Sequence, residues 1–411
     1  MYLTHLSLTN FRSFARLDLD TPRRVVLLVG DNAQGKTSIV EAVYFLAAFT
    51  SFQTHLDRQL VNFLAAKEQL SVGRLVADYT RGPVKHHLEV RLILEPVGPV
   101  SGQRLRKEVL LDGVKRPLAE VIGHFNAVIF VPQMTQIIEG GPEERRRYLN
   151  LALAQAVPGY AGLLSEYGQA LTQRNALLKQ LAEHGGDETQ LDFWDESLAR
   201  SGAGILLRRI QAIQELEKLA ARIHHELTRG AEILRLVYLP AYDPLPRPQG
   251  QIALPLDTSL DRSAVTEEEI LRGFRDGLQR VHAEEIRRGV TALGPHRDEL
   301  RFLANGIDLG DYGSRGQSRT ALLALKLAEV EWLKARTGQW PVLLLDEVLA
   351  ELDVQRRADL LGYLDQSEQA LLTTTDLKLF PPDFAQRAAV WQVGSGSVKV
   401  REVESRGSTA N

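Results

Sequence analysis

The sequence predicts an α/β fold: a head assembled from N- and C-terminal parts of the chain, with a mainly helical arm inserted between them. Three observations predict it. The continuous apolar run Val25–Val29 reads as a strand buried on both faces, followed by a glycine-bounded loop and then Ile39, Val40, Val43, Phe45 and Leu46 at helical spacing. A second such run, Val342–Leu345, ends in two acids, Asp346 and Glu347. Between them, from about residue 143 to 285, apolar residues recur every three or four positions.

The elements follow in order. Leu6 and Leu8, then Leu17 and Leu19, alternate with polar residues at period two, so the chain opens on two strands before the buried one. Short strands return over residues 70–118, with Asp112-Gly113 as a hairpin turn. Leu164, Tyr167, Leu171, Leu178 and Leu181 lie on one helix. After Gly185-Gly186, Leu206, Ile210, Ile213, Leu216, Leu219, Ile223 and Leu227 lie on another. This is an antiparallel helical hairpin; a plain helical subdomain and a short coiled coil both stay open. Pro240, Pro244, Pro246, Pro248 and Pro255 mark an irregular segment. Helix resumes near Thr266-Glu267-Glu268-Glu269, whose acids suit a helix N-terminus. The expected division is 1–142 for the N-terminal part of the head, 143–285 for the arm and 286–404 for the C-terminal part, with residues 405–411 a disordered tail.

Composition narrows the function classes. At 411 residues the chain has room for two or three domains, with 44% hydrophobic and 25% charged residues. It has no cysteine, which excludes disulfides, thiolate zinc sites and a cysteine nucleophile. The N-terminus lacks the pattern of a signal peptide, and the longest apolar stretch, near Ala42–Phe49, is far too short to cross a membrane. A cytoplasmic protein without membrane contact is expected. Net charge is −3, so any nucleic-acid contact must come from a local basic patch.

Three motifs carry chemistry. Gly30-Asp31-Asn32-Ala33-Gln34-Gly35-Lys36-Thr37, with Ser38 after it, matches G-x-x-x-x-G-K-[ST] between a strand and a helix. Its backbone N–H groups would wrap the phosphates of ATP, Lys36 would reach the β- and γ-phosphates as a catalytic cation, and the Thr37 hydroxyl would ligate Mg²⁺. Asp346 would hold the Mg²⁺ shell and Glu347 would polarise the attacking water. Ser314-Arg315-Gly316-Gln317, before the amphipathic stretch Thr320–Leu333, is similar to the S-G-G-Q signature of ABC-type ATPases. A serine and a close-approach glycine at a helix N-terminus suit phosphate, so Ser314, Gly316 and Gln317 join the nucleotide-binding set. The head is therefore expected to be an ABC-type P-loop ATPase head. Leu349-Ala350-Glu351-Leu352-Asp353 is similar to the D-loop of such ATPases. Thr373-Thr374-Thr375-Asp376 occupies the place of their usual histidine, which predicts slow hydrolysis unless these threonines merely end a strand.

On these motifs and four further stretches the chain resembles the RecF family of ABC/SMC-like ATPases. The stretches are Leu6–Phe14, Gly140–Asn150, Glu285–Leu300 with its Gly294-Pro295-His296-Arg297-Asp298 run, and Asn305–Asp353. The resemblance implies an ATP-dependent homodimer that binds single- and double-stranded DNA at gaps and junctions. It further implies partnership with RecO and RecR in RecA loading and SOS induction, and a weak DNA-stimulated ATPase used as a switch. The family usually has P-E-D where this chain has Pro132-Gln133-Met134; Gln133 could serve instead as a glutamine sensing Mg²⁺. Arg12 is placed near the nucleotide. Arg145, Arg146 and Arg147 read either as a DNA patch or as a solvated helix start, and His296 and Arg297 either as DNA or nucleotide contacts or as part of a structural turn. Three rivals fit less well. The insertion is too long for a transporter subunit, the heptads are too few for an SMC-type tether, and too little chain follows Asp353 for a nuclease domain.

Overall fold

A computed structural model describes residues 1–68, 70–96, 103–245, 261–394 and 396–401. The chain divides into two compact units, 1–132 with 333–411, and 133–332. The expected disordered tail, and Pro246, Pro248 and Pro255 of the irregular segment, lie outside the described residues.

The first unit holds two six-stranded sheets. Strands β1 (Tyr2–Phe11) and β2 (Phe14–Asp20) open the chain, then β3 (Val25–Val29) leads into helix α1 (Lys36–Ala48). Strands β4 (Ser71–Arg81), β5 (Val84–Pro96), β6 (Gln103–Leu111) and β7 (Val114–Arg116) complete an antiparallel sheet of order β2-β1-β4-β5-β6-β7. Asp112 and Gly113 make the β6–β7 turn, both at positive φ, as a two-residue hairpin requires. A short helix α2 (Leu118–Val121) precedes β8 (Ala127–Phe130), the edge strand of the second sheet.

The chain then enters the second unit. It contains α3 (Gln136–Glu139), α4 (Pro142–Ala156), α5 (Tyr160–His184), α6 (Leu191–Leu227), β9 (Leu234–Leu239), α7 (Glu267–Arg288), β10 (Glu299–Ala304), β11 (Ile307–Asp308), α8 (Leu309–Tyr312) and α9 (Arg315–Thr337). Helix α9 carries the chain back to the first unit. There β12 (Val342–Asp346), α10 (Val354–Asp365), β13 (Ala370–Thr374), α11 (Pro382–Arg387), β14 (Ala389–Gly394) and β15 (Ser397–Arg401) finish the second sheet, of order β15-β14-β3-β13-β12-β8. All its pairs are parallel except β14–β15. Helix α1 packs against strands of both sheets and is buried on nearly every side, which explains why its apolar residues do not form a single stripe.

The division differs from that expected at residues 142 and 285. Strand β9 pairs with β10 over Leu239↔Glu299 to Leu234↔Ala304 and packs on α6, so the chain after α7 stays with the arm through Trp332. The helical hairpin itself is α5 with α6, antiparallel as expected: Tyr160 meets Arg209 and Arg174 meets Asp195. Gly202 of α6 lets α7 approach, since a Cβ there would run into the Phe274 ring. Helix α7 starts on a capping box in which Thr266 and Glu269 satisfy each other's backbone N–H.

A buried charge cluster joins the arm helices. Arg174 of α5 donates to Asp195 of α6 at 2.7 Å and to the Thr291 hydroxyl at 2.8 Å, and its guanidinium forms an ion pair with Glu285 of α7 at 2.7 Å. His282 of α7 also meets Asp195. Arg174, Asp195 and Glu285 are fully buried, so removing the arginine would leave Glu285 without its counter-charge and Asp195 with His282 alone, in a low dielectric. Arg174→Met is expected to destabilise the arm by roughly 3–5 kcal/mol in urea denaturation. Arg200→Met, at an exposed i,i+4 pair with Glu196, should change it by less than about 1 kcal/mol.

Candidate functional site

The parallel strands end together. Val29 of β3 stands opposite Thr374 of β13, Asp346 of β12 opposite Thr373, and Leu345 opposite Phe130 of β8. Ligands of open α/β sheets sit at this carboxyl edge. The loop from β3 to α1 begins with Gly30, whose N–H donates to the Thr374 carbonyl at 3.4 Å. A Cβ on Gly30 would collide with the Val393 carbonyl of β14, so the neighbouring strand itself demands glycine. Ala33 and Gly35 both have positive φ, at 62° and 104°. A Cβ on Gly35 would also press on Ser13 and the Phe14 ring. Left-handed residues of this kind curl a loop into a concavity of backbone amides, the form that receives phosphate. The buried Lys36 ammonium donates to the carbonyls of Gly30 and Asp31 at 2.7 and 2.8 Å, closing that loop on itself.

The two acids on β12 are tied to this loop through hydroxyls. Thr37 Oγ1, in the first turn of α1, donates to Asp346 Oδ1 at 2.9 Å, and Thr373 Oγ1 donates to the same oxygen at 2.8 Å. Thr373 also accepts the N–H of Glu347 at 3.0 Å. That bond holds Glu347 in a left-handed conformation, φ 56°, with its side chain exposed. Burial pushes the Asp346 carboxyl above its ordinary value and the adjacent Glu347 adds to it, while the two threonine hydroxyls and Lys36 oppose the shift. A cavity of about 200 Å³ opens beside them, lined by Asn32, Pro132, Glu347 and Thr373 to Thr375. The Thr37 hydroxyl and Asp346 carboxylate are hard oxygen donors at hydrogen-bonding separation. They fit Mg²⁺ held jointly with a nucleotide's phosphates better than a cage made by protein alone. The sequence reading placed Thr373 only in the run that replaces the usual histidine and missed its link to Asp346 and Glu347, because only the β12–β13 register reveals what its hydroxyl faces.

Of the remaining predicted residues, Arg12 belongs to the first unit and the others to the second. Ser314 caps α9: Gln317 N–H donates to Ser314 Oγ at 3.2 Å and Ser314 N–H donates to Gln317 Oε1 at 3.0 Å. Ser314, Arg315 and Gly316 are exposed, and a Cβ on Gly316 would meet only Ser314 Oγ, so nothing in this chain's own packing requires that glycine. Gln133 is exposed on the turn after β8, the first residue of the second unit. Arg12, expected near the nucleotide, is held by partners within the first unit. Its guanidinium donates to both carboxylate oxygens of the fully buried Glu41 on α1, at 2.7 and 2.6 Å, and to the Gln59 carbonyl. An acid within the apolar run of α1 was the available sign that an arginine must come to it.

Neither reading of the arginine run fits Arg145. It is buried, holds Glu299 through two donors at 2.7 and 2.9 Å, and donates to the carbonyls of Ile138 and Gly140. Arg146 donates to the Asp298 carbonyl, and Arg147 is partly buried on the same helix. The Gly294–Asp298 turn is a packing hub. Gly294 has φ 128°, and a Cβ there would strike the Tyr167 hydroxyl. Buried Asp298 accepts from Arg209, Tyr238 and the Ala241 N–H, while Arg209 also reaches Pro295, Tyr160 and Asn150. His296 Nε2 faces the Thr291 carbonyl at 3.1 Å, so it donates and leaves Nδ1 to accept from Tyr167, 2.6 Å away. Burial lowers its pKa to about 4. Arg297 alone of this turn is exposed.

Residues 2–382 match the model of the RecF/RecN/SMC N-terminal domain family. The chain is 35% identical to the DNA replication and repair protein RecF of Exiguobacterium, over 98% of this chain and all of that one. It is 38% identical to the protein of that name from Chloroflexus aurantiacus, over 97% and 99%. A solved structure of the recombination mediator protein RecF with ATP, in the RecFOR pathway, superposes with a TM-score of 0.80 at 30% identity, covering 98% of each chain.

The half-buried His296 imidazole makes a pH test. In the unfolded chain histidine titrates near 6.5, but in the fold His296 stays neutral down to about 4. The unfolded state therefore binds the proton first as pH falls. The contribution of this group is complete above pH 6.5 and is lost progressively toward pH 4. Denaturation at pH 7.5 and pH 5 should show about 2 kcal/mol of this dependence disappearing in His296→Gln, an amide that can keep both hydrogen bonds.

Proposed function

The chain belongs to the RecF family, and from that premise we propose that it is an ATP-dependent DNA-binding protein of recombinational repair and replication, with hydrolysis as its conformational switch. The observation that carries the reading is the junction of Thr37, Asp346 and Thr373 at the carboxyl edge of the parallel sheet. Thr37 and Asp346 would hold Mg²⁺, which when bound supplies compensation for phosphate charge. Gly30 to Gly35, with Thr37 and Ser38, offer their N–H groups to the phosphates, and Lys36 offers its ammonium. Glu347 stands beside the cavity with its backbone fixed by Thr373, and polarises the attacking water. No histidine occupies positions 373–376, so hydrolysis is slow.

One chain carries one such loop and one Ser314–Gln317 turn. In ABC-type ATPases these serve different sites, so two copies head to tail complete two. The exposed setting of Ser314 and Gly316 supports this, because these residues are open to a second molecule. DNA contact moves from Arg145–Arg147 to the antiparallel sheet. Residues 71–117 hold nine Lys and Arg against five Asp and Glu in a chain of net charge −3. Arg106, Lys115 and Arg116 are 47%, 64% and 53% exposed there. The preference for gaps and junctions, the partnership with RecR and RecO, and RecA loading belong to the same proposal, drawn from the family resemblance.

Sedimentation tests the assembly. The chain should be monomeric alone and dimeric with ATP, and Ser314→Arg should bind ATP but stay monomeric; a dimer of that variant would remove the head-to-tail arrangement. Glu347→Gln should dimerise yet hydrolyse about 10²-fold or more slowly, and Thr373→Val should also slow hydrolysis while sparing ATP binding. For DNA, salt titration of Arg106→Ala/Lys115→Ala/Arg116→Ala should lower the log–log slope by roughly 0.9 for each DNA phosphate that the variant no longer neutralises. An unchanged slope would place the DNA on another surface.

A further inference from the structure

The Ser314–Gln317 turn is not held by its own residues alone. A glutamine side chain has one acceptor and one donor group, and here each has a distinct partner. Gln317 Oε1 accepts the Ser314 N–H, which fixes the amide's orientation and leaves Nε2 as the donor. Nε2 donates to Glu232 Oε1 at 2.8 Å. The other carboxylate oxygen of Glu232 lies 3.0 Å from Nε2 of His224, which is fully buried in the last turn of α6. The segment around Glu232 is itself anchored. Its N–H donates to Thr228 Oγ1, and Ile233 exchanges backbone and side-chain bonds with Asn305 at the β10–β11 turn. All these groups lie within the second unit.

We propose that Glu232 is the positioning residue of the signature turn, and that the His224–Glu232–Gln317 contact couples the long arm helix α6 to nucleotide capture by a second copy of the chain. The geometry gives it two effects. A carboxylate acceptor strengthens the Gln317 bond over a neutral one and holds the side chain in the only orientation that also caps Ser314. Because Ser314 Oγ already accepts the Gln317 N–H, its own proton is left to point outward as a donor, the role a phosphate-binding serine needs. His224 makes this arrangement depend on where α6 ends, so a shift of α6 along its axis would release Glu232 and with it Gln317. The coupling rests on the head-to-tail reading above; the positioning does not.

Two measurements separate these claims. In the nucleotide-free chain, amide hydrogen exchange of residues 313–320 should quicken roughly tenfold in Glu232→Ala, the scale for losing a charge-assisted hydrogen bond. It should return close to wild type in Glu232→Gln, which keeps an acceptor for Gln317. With ATP, Glu232→Ala should weaken dimerisation by about tenfold or more, while nucleotide affinity of the monomer stays unchanged; Glu232→Gln should restore most of the dimer. Wild-type exchange in Glu232→Ala overturns the positioning. Full dimerisation by a variant whose exchange has quickened overturns the coupling. A wild-type chain that stays monomeric with ATP overturns the head-to-tail reading and the coupling together, and the exchange result still decides the positioning.

Discussion

A carboxylate with no solvent exposure sits partway along α1, and the arrangement of the first unit depends on its neutralisation. An unpaired charge at Glu41 would cost several kcal/mol in a helix buried against two sheets. Arg12 supplies the counter-charge from the β1–β2 turn, where Asn10 and Arg12 both take positive φ to make the reversal. The same arginine receives loop residues 59–62: its N–H bonds the Leu60 carbonyl, its guanidinium the Gln59 carbonyl, and its own carbonyl accepts from Asn62. One ion pair thus fixes helix, turn and loop together. The Gly30–Gly35 loop, held between β3 and α1, inherits that rigidity, reinforced by the close approach of Gly35 to Ser13 and Phe14.

The second unit uses the same device twice. Arg174 ties α5 to α6 and α7, and Arg209 ties α4, α5 and α6 to β9 and the Gly294–Asp298 turn. Buried arginines suit this work because the planar guanidinium serves several acceptors in fixed directions. In each unit buried charge and packed helix fix the segments around them. Thr373 plays the corresponding part at the carboxyl edge of the parallel sheet, with a hydroxyl rather than a charge. One Oγ reaches both the Asp346 side chain and the Glu347 backbone, which places two acids of different burial in one geometry.

Much of this was legible where local pattern determines local structure. The runs Val25–Val29 and Val342–Leu345 are strands because both faces are covered, and the hairpin of α5 and α6 follows from its apolar spacing and the glycines between. The loop from Gly30 and the cap at Ser314 also announced themselves, since each needs particular residue types at fixed spacing. Pairings between distant segments did not. That Arg12 serves Glu41, Arg145 serves Glu299 and Glu232 serves Gln317 depends on strand order and register. An arginine cluster looks alike in sequence whether it faces solvent or a buried glutamate. The boundary of the arm was misplaced for the same reason: β9 and β10 are brought together by pairing across some sixty residues, which no local pattern announces.

The parallel sheet also sets an order of events for the growing chain. Strand β3 lies between β13 and β14, yet it leaves the ribosome roughly 340 residues before either neighbour begins. At about 5–20 residues per second that is a wait of roughly 20–70 s, during which an apolar strand has no partner on either side. The intervening second unit, synthesised whole in that interval and closed by its own buried charges, can fold first. The loop after β3 can gain its local contacts early, from Lys36, Ser13 and Phe14, but the Val393 carbonyl meets Gly30 only once β14 has been made. A translational pause or truncation late in the message would release a folded arm attached to an incomplete parallel sheet, a species for chaperones and proteases to sort.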